Sequence, residues 1–270
     1  MKTKLLVWLC LMPCLRLSAQ EAEPAFMPQG VQVRSTMLGI GHLNALDTYL
    51  SPVDYRGTAL RFLRENSRMT RRFHGRLSVQ HVLSGYAAYA SPRSEEGDEL
   101  LAMWQWNATW HYHLPLNRRL LLMAGAGTEL QTGFAYTFAG SNNPAQARLS
   151  GRLAGSVAAI YSVDLFRRKS FVRWQVDAPL LGLMFSPEYG ESYYELFSLG
   201  HHGHHACLTW PFSAPTLVSH ISLEWPLRAN TFLRVGYLMD IDQRQPNHLK
   251  QHEWSHTVLL GYTKRLRILP

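Results

Sequence analysis

The sequence predicts an all-β protein, an antiparallel transmembrane β-barrel of about twelve strands (ten to fourteen fit the pattern) with a polar lumen. Long segments alternate apolar and polar residues with the period of two that a strand requires. Glycines and charged residues fill the polar rows, and aromatic residues stand near the ends of the apolar rows. A barrel that meets lipid outside and encloses a polar interior requires this combination.

The clearest alternation lies in two consecutive segments. Over 99–114 the even positions are apolar or aromatic, including Trp104, whereas the odd positions include polar residues such as Gln105. A turn at 115–118 follows, and residues 119–138 repeat the pattern. We therefore expect a hairpin with one apolar face and one face of small and polar residues.

The same signal recurs along the chain, and turn residues such as Ser91-Pro92 and Ser186-Pro187 separate its segments. Segment 193–199 is the least regular and could instead be a helical turn folded into the lumen. Twelve strands are predicted because bacterial barrels close with even numbers. The predicted strands are 33–43, 58–68, 76–90, 99–114, 119–138, 146–163, 170–183, 193–199, 204–211, 217–227, 231–242 and 253–266.

The connections predict a direction, because the outer loops of such barrels are longer than the periplasmic turns. With a periplasmic N-terminus, the predicted outer loops are 44–57, 91–98, 139–145, 184–192, 212–216 and 243–252. The predicted inner turns are 69–75, 115–118, 164–169, 200–203 and 228–230. The sequence does not decide whether 184–205 plugs the lumen.

Charged residues occupy the polar rows. Facing lipid near the midplane, each Arg or Lys costs about 2–4 kcal/mol, so we expect these rows to face the lumen. Their mixed signs favour a self-paired interior over a constriction that selects ions. The predicted lumen charge network comprises Arg61, Glu65, Glu129, Arg148, Arg152, Arg173, Asp177, Glu224, Arg234 and Asp240.

A soluble periplasmic barrel or sandwich, with the apolar rows inside, also has period two. It would expose Gly125, Gly127 and Gly133 to water and crowd Trp104 and Trp106 into one core. We therefore favour the membrane barrel.

The N-terminus resembles an export signal, and residues 20–270 form a single predicted barrel domain. Lys2 and Lys4 precede a short apolar run, and Ala19 ends a plausible cleavage site. Removal of residues 1–19 leaves Cys207 as the only cysteine, so no internal disulfide is expected.

Removal of the signal also lowers the formal net charge from +8 to +5. The remaining basic residues are scattered, which favours contact with outer-membrane lipid headgroups and lipopolysaccharide over nucleic acid. The barrel-assembly machinery is the other expected partner, and no cofactor is predicted.

Two constellations could carry chemistry. His111 and His113 form a His-x-His pair that could bind a transition metal with a third ligand, although two hydrogen-bonded lumen histidines fit better. His220, Ser222 and Glu224 match the His-x-Ser spacing of outer-membrane lipid hydrolases. They share the inward face of their strand, which is the wrong register for a site open to acyl chains.

Several strings resemble an uncharacterised family of bacteroidete outer-membrane β-barrels, a domain of unknown function. The resemblance covers nearly the whole chain after the signal and implies an outer-membrane location, but no reaction. The strings are Asp47-Thr48-Tyr49-Leu50-Ser51-Pro52, Arg61-Phe62-Leu63-Arg64-Glu65, Trp110-His111-Tyr112-His113, Asn142-Asn143-Pro144-Ala145-Gln146-Ala147, Met184-Phe185-Ser186-Pro187-Glu188-Tyr189-Gly190, Ser192-Tyr193-Tyr194-Glu195 and Arg234-Val235-Gly236-Tyr237.

The function predicted from the sequence is that of an outer-membrane envelope protein, either a narrow porin-like channel or a structural or surface-binding barrel. One alternative is an outer-membrane lipid or lipopolysaccharide hydrolase, and another is a soluble periplasmic binding barrel. Whether the chain is an enzyme stays undecided, and the residues favour a non-enzymatic role.

Overall fold

The computed structural model describes residues 27, 29–93, 97–139, 143–200 and 203–267. The predicted export signal, 1–19, lies outside the described residues. Eleven strands occur in the described part of the chain. They are β1 (Val31–Asp47), β2 (Ser51–Met69), β3 (Leu77–Pro92), β4 (Glu99–Pro115), β5 (Leu120–Thr137), β6 (Ala145–Leu165), β7 (Arg168–Phe185), β8 (Ala206–Thr209), β9 (Thr216–Arg228), β10 (Thr231–Arg244) and β11 (Gln251–Arg267).

Ten of these strands close into an antiparallel barrel. Each of β1 to β6 pairs with its neighbours in sequence, and β1 also pairs with β11. The ring closes through β10, β9 and β7, because β7 pairs with both β6 and β9. Strand β8 pairs only with the last four residues of β7 and lies outside the ring. The predicted antiparallel barrel is therefore confirmed.

Ten strands rather than the predicted twelve form the ring, a number that lies within the range of ten to fourteen that fits the sequence pattern. Segment 193–199 contains a short helix, α1 (Tyr193–Ser198), and the strand predicted at 204–211 is the outlying β8. The α1 helix begins in a capping box, in which the Ser192 side chain accepts from the Glu195 amide and the Glu195 carboxylate accepts from the Ser192 amide. Among the described residues, no helix has the length and apolar character needed to cross a membrane.

The barrel has two ends, which we name by their connections. The turn end carries 70–76, 116–119, 166–167 and 229–230 together with the first residue of β1 and the last of β11. The loop end carries the described residues of five connections, 48–50, 93–98, 138–144, 186–215 and 245–250. Residues 200 and 203 of the predicted inner turn therefore belong to one long loop-end connection, 186–215, and residues 201–202 lie outside the described residues.

The loop predicted at 44–57 is also shorter than expected. Strands β1 and β2 continue until only residues 48–50 remain between them. The Thr48 amide donates to the Lys250 carbonyl at 3.0 Å, and the Lys250 amide donates back to the Thr48 hydroxyl at 2.8 Å. These two hydrogen bonds join the 48–50 connection to the 245–250 connection, and the sequence pattern does not predict them.

The two faces of the wall lie as the alternation predicts. Trp104 and Val235 point outward and are 45% and 44% exposed, whereas Arg234 is 1% exposed inside. Inward-facing glycines let adjacent strands approach closely: a Cβ on Gly125 would lie 1.9 Å from the Trp110 carbonyl oxygen. This arrangement is opposite to that of a soluble barrel with an apolar centre.

The lumen is not uniformly polar, which corrects the predicted interior. Inward-facing apolar residues of four strands pack together near the turn end: Leu121, Met123, Ala158, Ile160, Phe171 and Phe232. A second cluster lies along β1 to β5 toward the loop end and includes Leu43, Tyr55, Leu101 and Met103. A third joins Met37, Leu63, Leu238 and Leu259. A narrow closed barrel excludes water from its interior best when such side chains fill the space between polar groups.

Candidate functional site in the barrel lumen

Glu65 is the centre of the polar network nearest the turn end. Strand β2 directs its carboxylate inward, where it is buried and meets side chains from three other strands. Arg234 donates to Oε2, and Arg173 lies 3.5 Å from the same oxygen. His220 Nδ1 lies 3.4 Å from Oε1. One carboxylate thus holds β7, β9 and β10 together across the lumen.

The proposed catalytic residues lie beside Glu65, but each has a separate partner. His220 faces Glu65, and Ser222 accepts a hydrogen bond from Arg234 Nε at 3.0 Å. Glu224 accepts from the Thr263 hydroxyl at 3.0 Å. The hydrogen bonds of the described residues do not join His220 to Ser222. The spacing therefore does not produce a nucleophile with its base, and all three side chains are buried in the lumen.

A chain of amides continues the network across the lumen. Arg173 donates to Gln175, whose amide donates to the Asp177 carboxylate at 3.0 Å. Gln175 and Gln80 exchange hydrogen bonds of 3.2 and 3.3 Å. These contacts satisfy groups from opposite sides of the barrel and fill the space between them.

The two lumen histidines are held by serines rather than grouped for a metal. His111 Nε2 lies 2.8 Å from the Ser156 hydroxyl, and His113 Nε2 lies 2.7 Å from the Ser78 hydroxyl. In the part of the chain that the structure describes, no three His, Cys, Asp or Glu side chains form a group that could hold a metal ion.

A second polar network lies nearer the loop end. Arg61 donates to Asp240 at 3.2 Å and to the Ser255 hydroxyl at 2.9 Å, and its guanidinium lies 4.9 Å from the centre of the Tyr86 ring. The Tyr86 hydroxyl donates to Glu253. This links β2, β3, β10 and β11 at one level of the lumen.

Arg148 extends this network toward the mouth of the barrel. Its guanidinium pairs with Glu253 and donates to Asp47 at 3.1 Å. Both the arginine and Asp47 are buried. Because buried charges of opposite sign are stable only with well-placed partners, the three residues fix the position of β6 relative to β1 and β11.

Arg152 is the centre of the remaining group of ion pairs in the second network. It donates from Nε to Glu129 at 2.6 Å and lies 3.7 Å from Asp242. Arg244 Nε donates to the same Asp242 at 2.6 Å. Two guanidiniums therefore share one carboxylate, as Arg173 and Arg234 share Glu65.

The structure places all ten residues of the predicted charge network in the lumen. Glu65, Arg173, Asp177, Glu224 and Arg234 lie in the network near the turn end, and the other five lie in the second network. Sequence reasoning missed five members of the second network: Asp47, Tyr86, Asp242, Arg244 and Glu253. Asp242 shares the polar row of Asp240 in the sequence pattern, although it is not in the predicted network, and Arg244 continues that row.

Very little space remains between these side chains. A cavity lined by Arg61, Tyr86, Asp240 and Glu253 has a volume of about 10 Å³, which is close to the smallest space that holds one water molecule. Two larger hollows of about 620 and 630 Å³ lie on the outer wall, where Trp104 borders both. At this level of the lumen the space between the side chains is therefore too small to pass a solute.

The 186–215 connection packs onto the mouth of the barrel at the loop end. Tyr49 donates to the Glu191 carbonyl at 2.9 Å, and the Ala147 amide donates to the Tyr193 hydroxyl at 2.7 Å. Burial raises the pKa of Tyr49 above its ordinary value. His205 Nε2 lies 2.7 Å from the Glu191 carboxylate.

Other side chains of this connection point away from the barrel. Together they give the loop end an exposed aromatic surface, which is unusual for a loop that meets only water. Its members are Tyr189, Tyr194, Phe197, Leu199, Trp210 and Phe212.

Solved structures share the architecture. The outer membrane protease OmpT from Escherichia coli superimposes with a TM-score of 0.57 and 6% identity, over 87% of this chain and 97% of that one. The translocator domain of the autotransporter NalP from Neisseria meningitidis covers 90% of each chain with 9% identity, but its TM-score of 0.44 is too low to carry an argument. At these identities the likeness concerns the fold alone.

No curated protein matches the chain. A family model described as "Protein of unknown function (DUF3316)" matches residues 4–270, which is nearly the whole sequence. The chain, a ten-stranded barrel with a filled lumen, therefore belongs to this family of unknown function.

Proposed function

We propose that this protein is an outer-membrane barrel that is sealed to solutes and serves the envelope as a structural and surface-binding protein. Residues 1–19 would direct its export, and the turn end would face the periplasm. The observation that carries this proposal is the filled lumen.

Three successive barriers support the seal. The apolar cluster around Phe171 and Phe232 lies nearest the turn end, and the Glu65 network lies above it. The Arg61, Arg148 and Arg152 network follows, with a cavity of only about 10 Å³. Ion conduction requires a continuous path of polar, hydrated space, so this interior favours a scaffold over a narrow channel.

The outer wall supports membrane insertion. Large apolar side chains around the barrel are exposed, and in water their exposure would promote aggregation. Outer-membrane lipid and lipopolysaccharide are the partners that we propose for this wall, and the barrel-assembly machinery would insert it.

The exposed aromatic surface of 186–215 is the region that we propose for binding. It lies on a rigidly attached connection, because Tyr193 and Glu191 tie it to the barrel. Aromatic side chains supply much of the binding energy in protein interfaces, and here they stand on a sealed scaffold. A hydrolase is disfavoured, since Ser222 donates no hydrogen bond to His220 among the described residues and both are buried.

Planar-bilayer recording of the refolded protein tests the proposal. We expect no discrete conductance steps, with insertion verified by heat-modifiable migration on gels and by protection from protease. A variant that lacks residues 189–199 should insert and stay silent as well, because the seal lies in the lumen rather than in the connection. Reproducible conductance steps from the native chain would refute the sealed barrel.

A further inference from the structure

A vestibule opens at the turn end of the barrel, where two strands separate. The ladder between β7 and β9 ends at the pair Phe171 and Glu224, although both strands continue for several residues. Pro226 has no amide hydrogen and cannot extend the ladder. Arg168 instead donates from its guanidinium to the Pro226 carbonyl at 3.1 Å. The gap and the adjoining barrel mouth border an open pocket of about 540 Å³.

Four cationic side chains line this vestibule, and no carboxylate is present among the described residues of its lining. They are Arg168, Lys169, Arg228 and Arg265. The first three are exposed at the rim, whereas Arg265 is partly buried. Like charges in so small a space repel one another, so the vestibule favours an anion.

The floor of the vestibule is aromatic. The Arg265 guanidinium lies 4.6 Å from the centre of the Phe171 ring and 4.5 Å from that of Phe232. Its Nε–H is buried and has no hydrogen-bond partner among the described residues. Glu224, one layer deeper, attracts this guanidinium but accepts its hydrogen bond from Thr263. Because Arg265 is only partly buried and lines the vestibule, the rest of its guanidinium is available to an incoming acceptor.

The aromatic residues beside the vestibule indicate that its ligand is an amphiphile. On the outer side of the gap, Phe166 and Trp225 have ring centres 5.5 Å apart, and Phe166 is largely exposed. Aromatic side chains of this kind mark the interface between lipid headgroups and hydrocarbon. The volume lies within the range typical of small-molecule sites.

We infer that the vestibule binds a phosphate group, carried either by an anionic phospholipid headgroup or by a soluble phosphate ester. Arg228 and Lys169 supply point charges at the rim, and Arg265 supplies a planar guanidinium that matches phosphate geometry. A lipid would enter through the gap between β7 and β9, with its acyl chains against Trp225. A soluble ester would enter from the turn end.

Calorimetric titration of the refolded full chain in a non-ionic detergent tests this inference. The probes are short-chain phosphatidylglycerol, short-chain phosphatidylcholine, glycerol 3-phosphate and inorganic phosphate. We expect saturable binding of phosphatidylglycerol, and the double variant Lys169→Gln/Arg228→Gln should weaken it about tenfold or more, since each charge-assisted hydrogen bond contributes substantially. Glycerol 3-phosphate that binds as tightly as the lipid identifies a soluble ester, and binding of phosphatidylglycerol alone identifies a lipid.

The matched control is Arg71→Gln/Arg72→Gln, which removes two exposed charges from another turn at the same end. It should leave the affinity for phosphatidylglycerol within about twofold of the native value, because salt screening limits the effect of an exposed charge to about 10 Å. An equal loss in both double variants would show diffuse attraction by the basic end and would overturn the site. Absence of binding by every phosphate probe would overturn it as well.

Discussion

Replacing Glu65 with glutamine tests whether the lumen is as dry as the geometry indicates. The glutamine keeps the shape of the side chain but removes the charge that holds Arg234 and Arg173. Arg234 is 1% exposed, and the nearest remaining carboxylate, Glu224, lies 3.9 Å from its Nε. Removing one partner of a buried ion pair costs about 3–5 kcal/mol. The folding equilibrium should therefore fall by roughly 100-fold to several thousand-fold.

Urea unfolding of the refolded barrel in detergent micelles measures this loss. The matched control is Asp164→Asn, which breaks the pair between Arg119 and Asp164, two side chains that are 62% and 63% exposed. An exposed pair contributes about 0.2–1 kcal/mol, so the control should shift the urea midpoint only slightly. Adding Arg234→Met to Glu65→Gln should recover part of the loss, because the pair acts as a unit.

One result would refute the reasoning about the lumen. If Glu65→Gln costs no more than the exposed control, water must reach the network and screen the freed guanidiniums. The filled interior, and with it the proposed seal, would then be incorrect.

Three further predictions concern other parts of the fold. Gly125→Val should destabilise the barrel by about 1–3 kcal/mol or more and abolish its heat-modifiable migration, because a Cβ there would lie 1.9 Å from the Trp110 carbonyl oxygen. Ser192→Ala should destabilise the helix that Glu195 helps to cap by about 1 kcal/mol and speed proteolysis there, with the urea midpoint of the barrel unchanged. Burial raises the pKa of the Cys207 thiol, so its alkylation rate should rise at a higher pH in the folded protein than in urea; coincident profiles would contradict the burial.

The strand pattern was predictable because the alternation of apolar and polar residues within each strand shows which face meets lipid. Trp104 and Val235 lie outside and Arg234 inside, since a charge in hydrocarbon costs more than any local preference can offset. The segments predicted as strands at 193–199 and 204–211 do not join the ring. The first contains the helix α1, which was the alternative for that segment, and the second contains β8, which pairs only with β7. The Ser192 and Glu195 capping box signals a helix, and its three-residue spacing is easily missed beside a run of aromatic residues.

The pairing of the lumen side chains could not be predicted in the same way. Alternation places Glu65 and Arg234 on inward faces, but they are 169 residues apart in sequence, and only the ring closure brings them together. The same is true of Arg148 and Asp47, which meet across the lumen from β6 and β1. Sequence reasoning therefore found ten members of the two networks but not which residues they pair with.

By itself, the sequence determined that this chain forms an antiparallel barrel and which side of each strand faces inward, because period-two alternation and the cost of charge in lipid act on every strand separately. The tertiary structure alone decided that ten strands close the ring, that apolar clusters interrupt the polar lumen, and that almost no space remains inside. Those features depend on barrel radius and on contacts between distant strands, which no local pattern encodes.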